Sequence, residues 1–229
     1  MRDKRFSMGE AISFGWETMK ANVGFFIGLL IVAFLVENVL SIMSGFVEGD
    51  FPAIAALLSL AGAVVGIVVQ MGLIKVSLKF CDGIKGKLDD LLSSFHLVLK
   101  YVAAAILYGL IVLVGLLLLI VPGVIWGIKY SLFPYFIVDH ELGPIAALKA
   151  SGEATNGVKW DLCLFGGLLG LINIAGALAL LVGLFATVPA TMVAYAHAYR
   201  TLAGGAVTQS AEPAGDAVKG NAMYIKMEA

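Results

Sequence analysis

Two ionisable side chains stand inside otherwise apolar runs, Glu37 in VAFLVENVL and Lys129 in VIWGIKYSL. A carboxylate and an ammonium at one depth in a poorly solvated medium can relay a proton, hold a charged substrate, or simply neutralise each other. Three further polar residues, Asn38, Asn173 and His197, fall in the middle of apolar stretches and complete a candidate intramembrane polar site. Two readings of this set stand open: a working proton-coupled or substrate-binding centre, and a buried tie that sets helix register. Intramembrane charge defaults to a functional hypothesis because it costs at least about 2.5–3.5 kcal/mol when unpaired. His197 has no second His or Cys at ligand spacing, which argues against a metal. Adjacent Asp89 and Asp90 suit a helix start better than an acid pair. No HExxH, GxSxG, P-loop or CxxC is present, so the chain is expected to be neither an enzyme nor a cofactor carrier.

The elements that must hold these residues follow from composition. Of 229 residues, 60% are hydrophobic and only 14% are charged, too little polar surface to cover a soluble domain. The surrounding solvent must be lipid, which excludes a soluble enzyme, a disordered chain and a secreted disulfide scaffold. A net charge of −1 offers nothing to nucleic acid. Cys81 and Cys163 imply no disulfide framework. Crossing roughly 30 Å of hydrocarbon takes about 20 apolar residues. Charge-free stretches cover 21–36, 51–74, 101–128 and 162–199. The first continues past Glu37 into one span, and the last two each hold a late proline, Pro122 and Pro189, that suits a first helical turn. The fold expected is all-α, a polytopic bundle of six transmembrane helices in three hairpins: 22–45 with 54–78, 99–119 with 122–138, and 161–181 with 185–202. Residues 1–202 form the membrane domain, and 203–229 read as a mostly disordered cytoplasmic tail.

Fourteen of the 15 basic residues fall on one side of these spans, while the opposite loops hold only Glu48 and Asp50. Lys- and Arg-rich short loops stay inside, so both termini are expected in the cytoplasm and the chain in the inner membrane. No small-residue cleavage site follows the first apolar run, which therefore reads as an uncleaved span. Glu37 then lies about 22 Å from the inner face and Lys129 about 10 Å from the outer one, depths that agree within a few Å and suggest a pair. Each hairpin is preceded by a short segment expected to lie as an amphipathic helix in the interface plane. The first opens on the capping box Ser7–Glu10 and carries the stripe Met8, Ile12, Trp16, Met19. The second starts at Asp89 or Asp90, with Leu91, Leu92, Phe95 and Leu99 as its stripe. The third starts at Pro144 and stops at Asn156–Gly157. GxxxG pairs at Gly24/Gly28, Gly62/Gly66, Gly123/Gly127 and Gly166/Gly170 are expected to support tight packing.

Residues 115–162, GLLLLIVPGVIWGIKYSLFPYFIVDHELGPIAALKASGEATNGVKWDL, carry Pro122-Gly123, Lys129, Asp139, Ala147 with Ser151, and Trp160. This stretch, with the ending GLFATVPATMVAYAHAYRTL, resembles the membrane domain associated with glycerophosphoryl diester phosphodiesterases and the related YciC-type family of bacterial inner-membrane proteins. The resemblance spans most of residues 7–202. It implies a membrane helper protein, because the cytosolic phosphodiesterase barrel of that family has no counterpart here. The function expected is a non-catalytic scaffold or accessory component in envelope or lipid homeostasis, with a small transporter using Glu37 and Lys129 as the alternative. Membrane lipids, a membrane-protein partner or further copies of the chain are the expected partners.

Overall fold

The computed structural model describes residues 7–179 and 182–204, and the described residues form helices without strands. Helix α1 (Met8–Ala21) starts where Ser7 Oγ accepts from the Glu10 backbone N–H at 3.2 Å, half of the expected capping box. Its buried face is Ala11, Gly15 and Met19. The expected stripe is thus rotated: Met19 is shared, Met8 and Ile12 are only partly buried, and Trp16 is exposed. The reason is a close crossing. A side chain at Gly15 would run into the backbone at Ala190 and Ala194, so α1 is seated against the last helix rather than only lying on the surface.

Helices α2 (Val23–Val47) and α3 (Pro52–Cys81) form the first hairpin. Pro52 opens α3, where its missing N–H costs nothing. The segment before the next span forms two short 3-10 turns, 88–91 and 95–97, in place of the expected amphipathic helix. Asp90 decides this. It accepts from the Lys87 N–H at 2.8 Å and from Lys79 Nζ at 2.6 Å, and Leu91 lies over Gly72, where any Cβ would overlap the Leu91 backbone. Leu92, Phe95 and Leu99 of the expected stripe are left exposed.

Helix α4 (Val98–Leu118) turns back into α5 (Ile120–Tyr130). The hairpin is tight because Gly115 meets Gly123, where an added Cβ would lie 2.8 Å from the Gly123 Cα. The expected single span 122–138 is broken: α5 ends at Tyr130 and α6 (Phe133–His140) begins one turn later with Pro134 near its start. Proline lacks the N–H and its ring clashes with the carbonyl four residues back, here that of Tyr130. Helix α7 (Pro144–Ala154) begins at the expected proline, and Gly157 takes the left-handed φ of +88° that ends the turn after it. Helix α8 (Lys159–Leu178) and helix α9 (Leu184–Ala203) complete the fold.

Among the described residues, five helical segments are long and apolar enough to cross a membrane: Val23–Val47, Pro52–Cys81, Leu88–Leu118, Ile120–His140 and Lys159–Leu178. The expected sixth span, α9, is not among them. It carries Thr187, Thr191, Tyr195, His197, Tyr199 and Arg200, and Pro189 lies inside the helix instead of in its first turn. These residues are tolerated because α9 is packed among other helices, with Pro189, Ala190, Thr191, Val193, Ala194, Ala196, Ala198 and Tyr199 all buried. The large buried side chains around it are Phe26, Met71, Leu132, Phe136, Ile137 and Phe165. The outward faces are apolar instead, with Phe46 83%, Leu117 78% and Leu178 80% exposed. This inverted pattern fits a protein solvated by lipid. Helix α9 extends to Ala203, and the tail expected from 203 onward otherwise lies outside the described residues.

Candidate functional site

The break between α5 and α6 frees backbone groups, and two hydroxyls take them up, that of Ser151 in α7 and that of Thr155 just after it. Ser151 Oγ accepts from the Leu132 N–H at 3.1 Å and donates to the Lys129 carbonyl at 3.0 Å. Thr155 Oγ1 donates to the same carbonyl at 2.9 Å. Both residues are fully buried, so the break is closed by protein groups. Ser131 adds a contact to α9, accepting from the Tyr195 hydroxyl at 3.3 Å.

Lys129 projects from this break into a groove between α4, α5, α7 and the start of α8. Lys149, Lys159, Asn156 and Glu153 share the groove with Leu107, Ile111, Tyr130, Ile145 and Leu148, and its volume is about 570 Å³. Lys129 Nζ lies 5.0 Å from the centre of the Tyr130 ring, a cation–π distance. Gly152 leaves room for the lysine stem, since a Cβ there would stand 3.0 Å from Lys129 Cε.

Glu37 is elsewhere. It is exposed on the outer side of α2, beside an apolar cleft formed with Leu30, Phe34, Leu73, Leu184 and Val188. Among the described residues no ion pair joins it to Lys129. Equal depth counted along two helices does not fix the faces on which the residues sit, and here the faces diverge. Asn38 donates to the Phe34 carbonyl of its own helix at 2.7 Å. Asn173 pairs with Thr191 across α8 and α9, Nδ2 to Oγ1 at 3.1 Å. The His197 ring packs on Phe14 of α1, with centroids 4.8 Å apart. The five expected polar residues therefore act at four separate places.

A second polar assembly joins three elements at the opposite end of α9 from Leu184. Arg200 bridges Asp139 of α6, through Nη1 at 2.5 Å, and Asp82 just after α3, through Nη2 at 2.6 Å. The Tyr199 hydroxyl donates to the same Asp139 oxygen at 2.9 Å, and His140 Nε2 stands 3.0 Å from it. Asp139 stands out in the sequence as an acid near a span end within the stretch that carries the family resemblance, but without a partner, and Arg200 only as one of many basic residues. The Asp-to-Arg separation of 61 residues carries no motif that reasoning on spacing could have found.

The chain is 25% identical to an uncharacterised protein of Mycobacterium bovis over 242 residues, covering 93% of this chain and 74% of that protein. An uncharacterised protein of Mycobacterium tuberculosis matches at 24% identity with the same coverage. No family model matches, and neither does any solved structure. The match extends over most of this chain and about three quarters of each relative, so the likeness is not confined to one short motif.

Proposed function

We propose that the chain is a multi-pass inner-membrane protein that serves as a non-catalytic scaffold or accessory component in envelope lipid homeostasis. The observation that carries this reading is the filled centre. Tyr199, Phe136, Phe165, Leu132 and Ile137 are all buried around α9, and the two groups best suited to a transport site, Glu37 and Lys129, open onto different peripheral grooves. The resemblance to membrane domains associated with glycerophosphoryl diester phosphodiesterases supports a role near lipid chemistry. In this reading α9 is a sixth crossing, shielded from lipid by its neighbours, and both termini are cytoplasmic because the basic residues gather at one end.

A small transporter is the second reading, favoured by the interrupted α5–α6 segment, since discontinuous helices line substrate sites in transporters. Two experiments separate them. Single cysteines introduced at Gly49 and Gly86 should label from outside at position 49 only, and labelling at 86 in sealed cells would reverse the orientation. Proteoliposomes under an imposed pH gradient should show no protein-dependent proton flux. A flux lost in Glu37→Gln or Lys129→Met would overturn the scaffold reading in favour of transport.

A further inference from the structure

We propose that the groove around Lys129 binds one anionic diacyl phospholipid, with its phosphate among Lys129, Lys149 and Lys159 and one acyl chain between α4 and α5. The inference stands apart from the scaffold reading and would hold equally for a transporter.

The first argument is charge. Three lysines and one acid, Glu153, line the groove, leaving a surplus of positive charge within one small volume. Lysine is suited to a phosphate as a compact point charge on a flexible stem, and basic pockets between membrane helices are where anionic headgroups bind. The Asn156 side chain adds an amide at the rim.

The second argument is the shape of the space beside it. A second cleft of about 510 Å³ is lined by Leu110, Val114 and Trp126 together with Ile111, Lys129 and Tyr130. The last three also line the basic groove, so the two spaces meet at Lys129. One compartment is cationic and the other is bounded by Leu110, Ile111, Val114 and Trp126, which is the division of a phospholipid into headgroup and chain. Leu110 and Val114 are about half exposed, at 53% and 49%, so the cleft opens sideways toward the bilayer. A water-soluble phosphate would satisfy the lysines but leave this apolar half unfilled.

The third argument concerns Lys129 itself. A lysine at this position has no acid partner on α2, and its stem runs past Gly152 toward the two lysines at the groove mouth. Long cationic side chains extend in this way toward the headgroup layer. Trp160, exposed beside Lys159 in an adjoining cleft with Ile125 and Ile128, is the residue type that settles at that layer.

The test uses the full chain in dodecylmaltoside, titrated with phosphatidylglycerol, phosphatidylcholine or soluble glycerol 3-phosphate, followed by thermal unfolding and by native mass spectrometry. Phosphatidylglycerol should raise the melting temperature saturably and add one retained lipid, while the other two should do neither. The double substitution Lys149→Gln/Lys159→Gln should weaken the response by about tenfold or more. A matched loss of two charges at Lys20 and Lys85 should leave it unchanged. Val114→Trp, which fills the apolar cleft, should reduce phosphatidylglycerol retention with all three lysines intact. An equal response to phosphatidylcholine, or a full response in the double-lysine variant, overturns the proposal. Stabilisation by glycerol 3-phosphate alone would assign the groove to a soluble phosphate and overturn it too. Should the double variant fold poorly, lipid retention by Lys149→Gln alone, at an exposed position, decides the same question.

Discussion

Arg200 and Lys129 are both cations in this helical bundle, and the structure treats them in opposite ways. Arg200 is paired within the protein: two carboxylates from different elements meet its guanidinium, and Tyr199 and His140 converge on one of them. Lys129 is left at the edge, with a ring beneath it and two other lysines facing the same space. The difference separates two uses of charge in a membrane protein. A cation met by carboxylates from several elements ties those elements together, whereas lysines that outnumber the acid beside them, here Glu153, leave a surplus of charge that a further anion can neutralise.

The largest effect that would break this contrast is expected at Arg200. Arg200→Met removes both ion pairs and leaves Asp139, whose side chain is 12% exposed, without its main counter-charge. A loss of about 2–3 kcal/mol is expected, at the lower end for buried pairs because the guanidinium is partly solvated. Thermal unfolding in detergent measures it, and a loss under 0.5 kcal/mol would show that the network does not hold α3, α6 and α9 together.

Ser151→Ala comes next, because it strands the Leu132 N–H in a buried position. A cost of about 1–2 kcal/mol is expected. Thr155→Val should cost less, since the Lys129 carbonyl still accepts from Ser151. If the order of these two were reversed in unfolding measurements, the account of how the helix break is closed would fail.

Asn173→Ala tests a neutral tie of the ordinary kind. Interhelical hydrogen bonds in lipid average roughly 0.6 kcal/mol, so a small loss is expected, and a double-mutant cycle with Thr191→Val should recover most of it as coupling. A coupling near zero would mean that the two side chains do not hold α8 on α9.

The smallest effect sharpens the comparison most. Glu37→Gln and Lys129→Met should be additive within about 0.3–0.5 kcal/mol, because the two residues lie beside separate grooves. Rescue of either single variant by the other would restore the pairing expected from depth alone.

That expectation shows where reasoning from sequence stops. Depth along a helix follows from counting residues, but rotation about the axis depends on which side meets a neighbour. The stripe of α1 illustrates the same limit, for the small residues Ala11 and Gly15, unremarkable in hydrophobicity, face α9 because backbones approach there. The GxxxG pairs are a further case. A side chain added at Gly24, Gly28, Gly66, Gly166 or Gly170 would meet nothing within 4 Å; of the expected pairs Gly123 does lie at a close approach, while further close approaches fall at Gly15, Gly72, Gly115, Gly176 and Gly183. Chain spacing marks where backbones could approach, and only packing selects where they do.

What the amino-acid sequence determined by itself was the solvent of this protein and its helical class, since long apolar runs with few charges have one stable arrangement in lipid. It also determined several helix ends, at Ser7, Pro144 and Gly157, because caps and turns depend on a few adjacent residues. Only the tertiary structure decided that α9 is central, that the fourth apolar segment is broken, and that Lys129 faces Lys149 and Lys159 instead of Glu37. Those outcomes depend on contacts between residues far apart in the chain, where burial of a carbonyl or a guanidinium is settled by whichever partner another helix brings within reach.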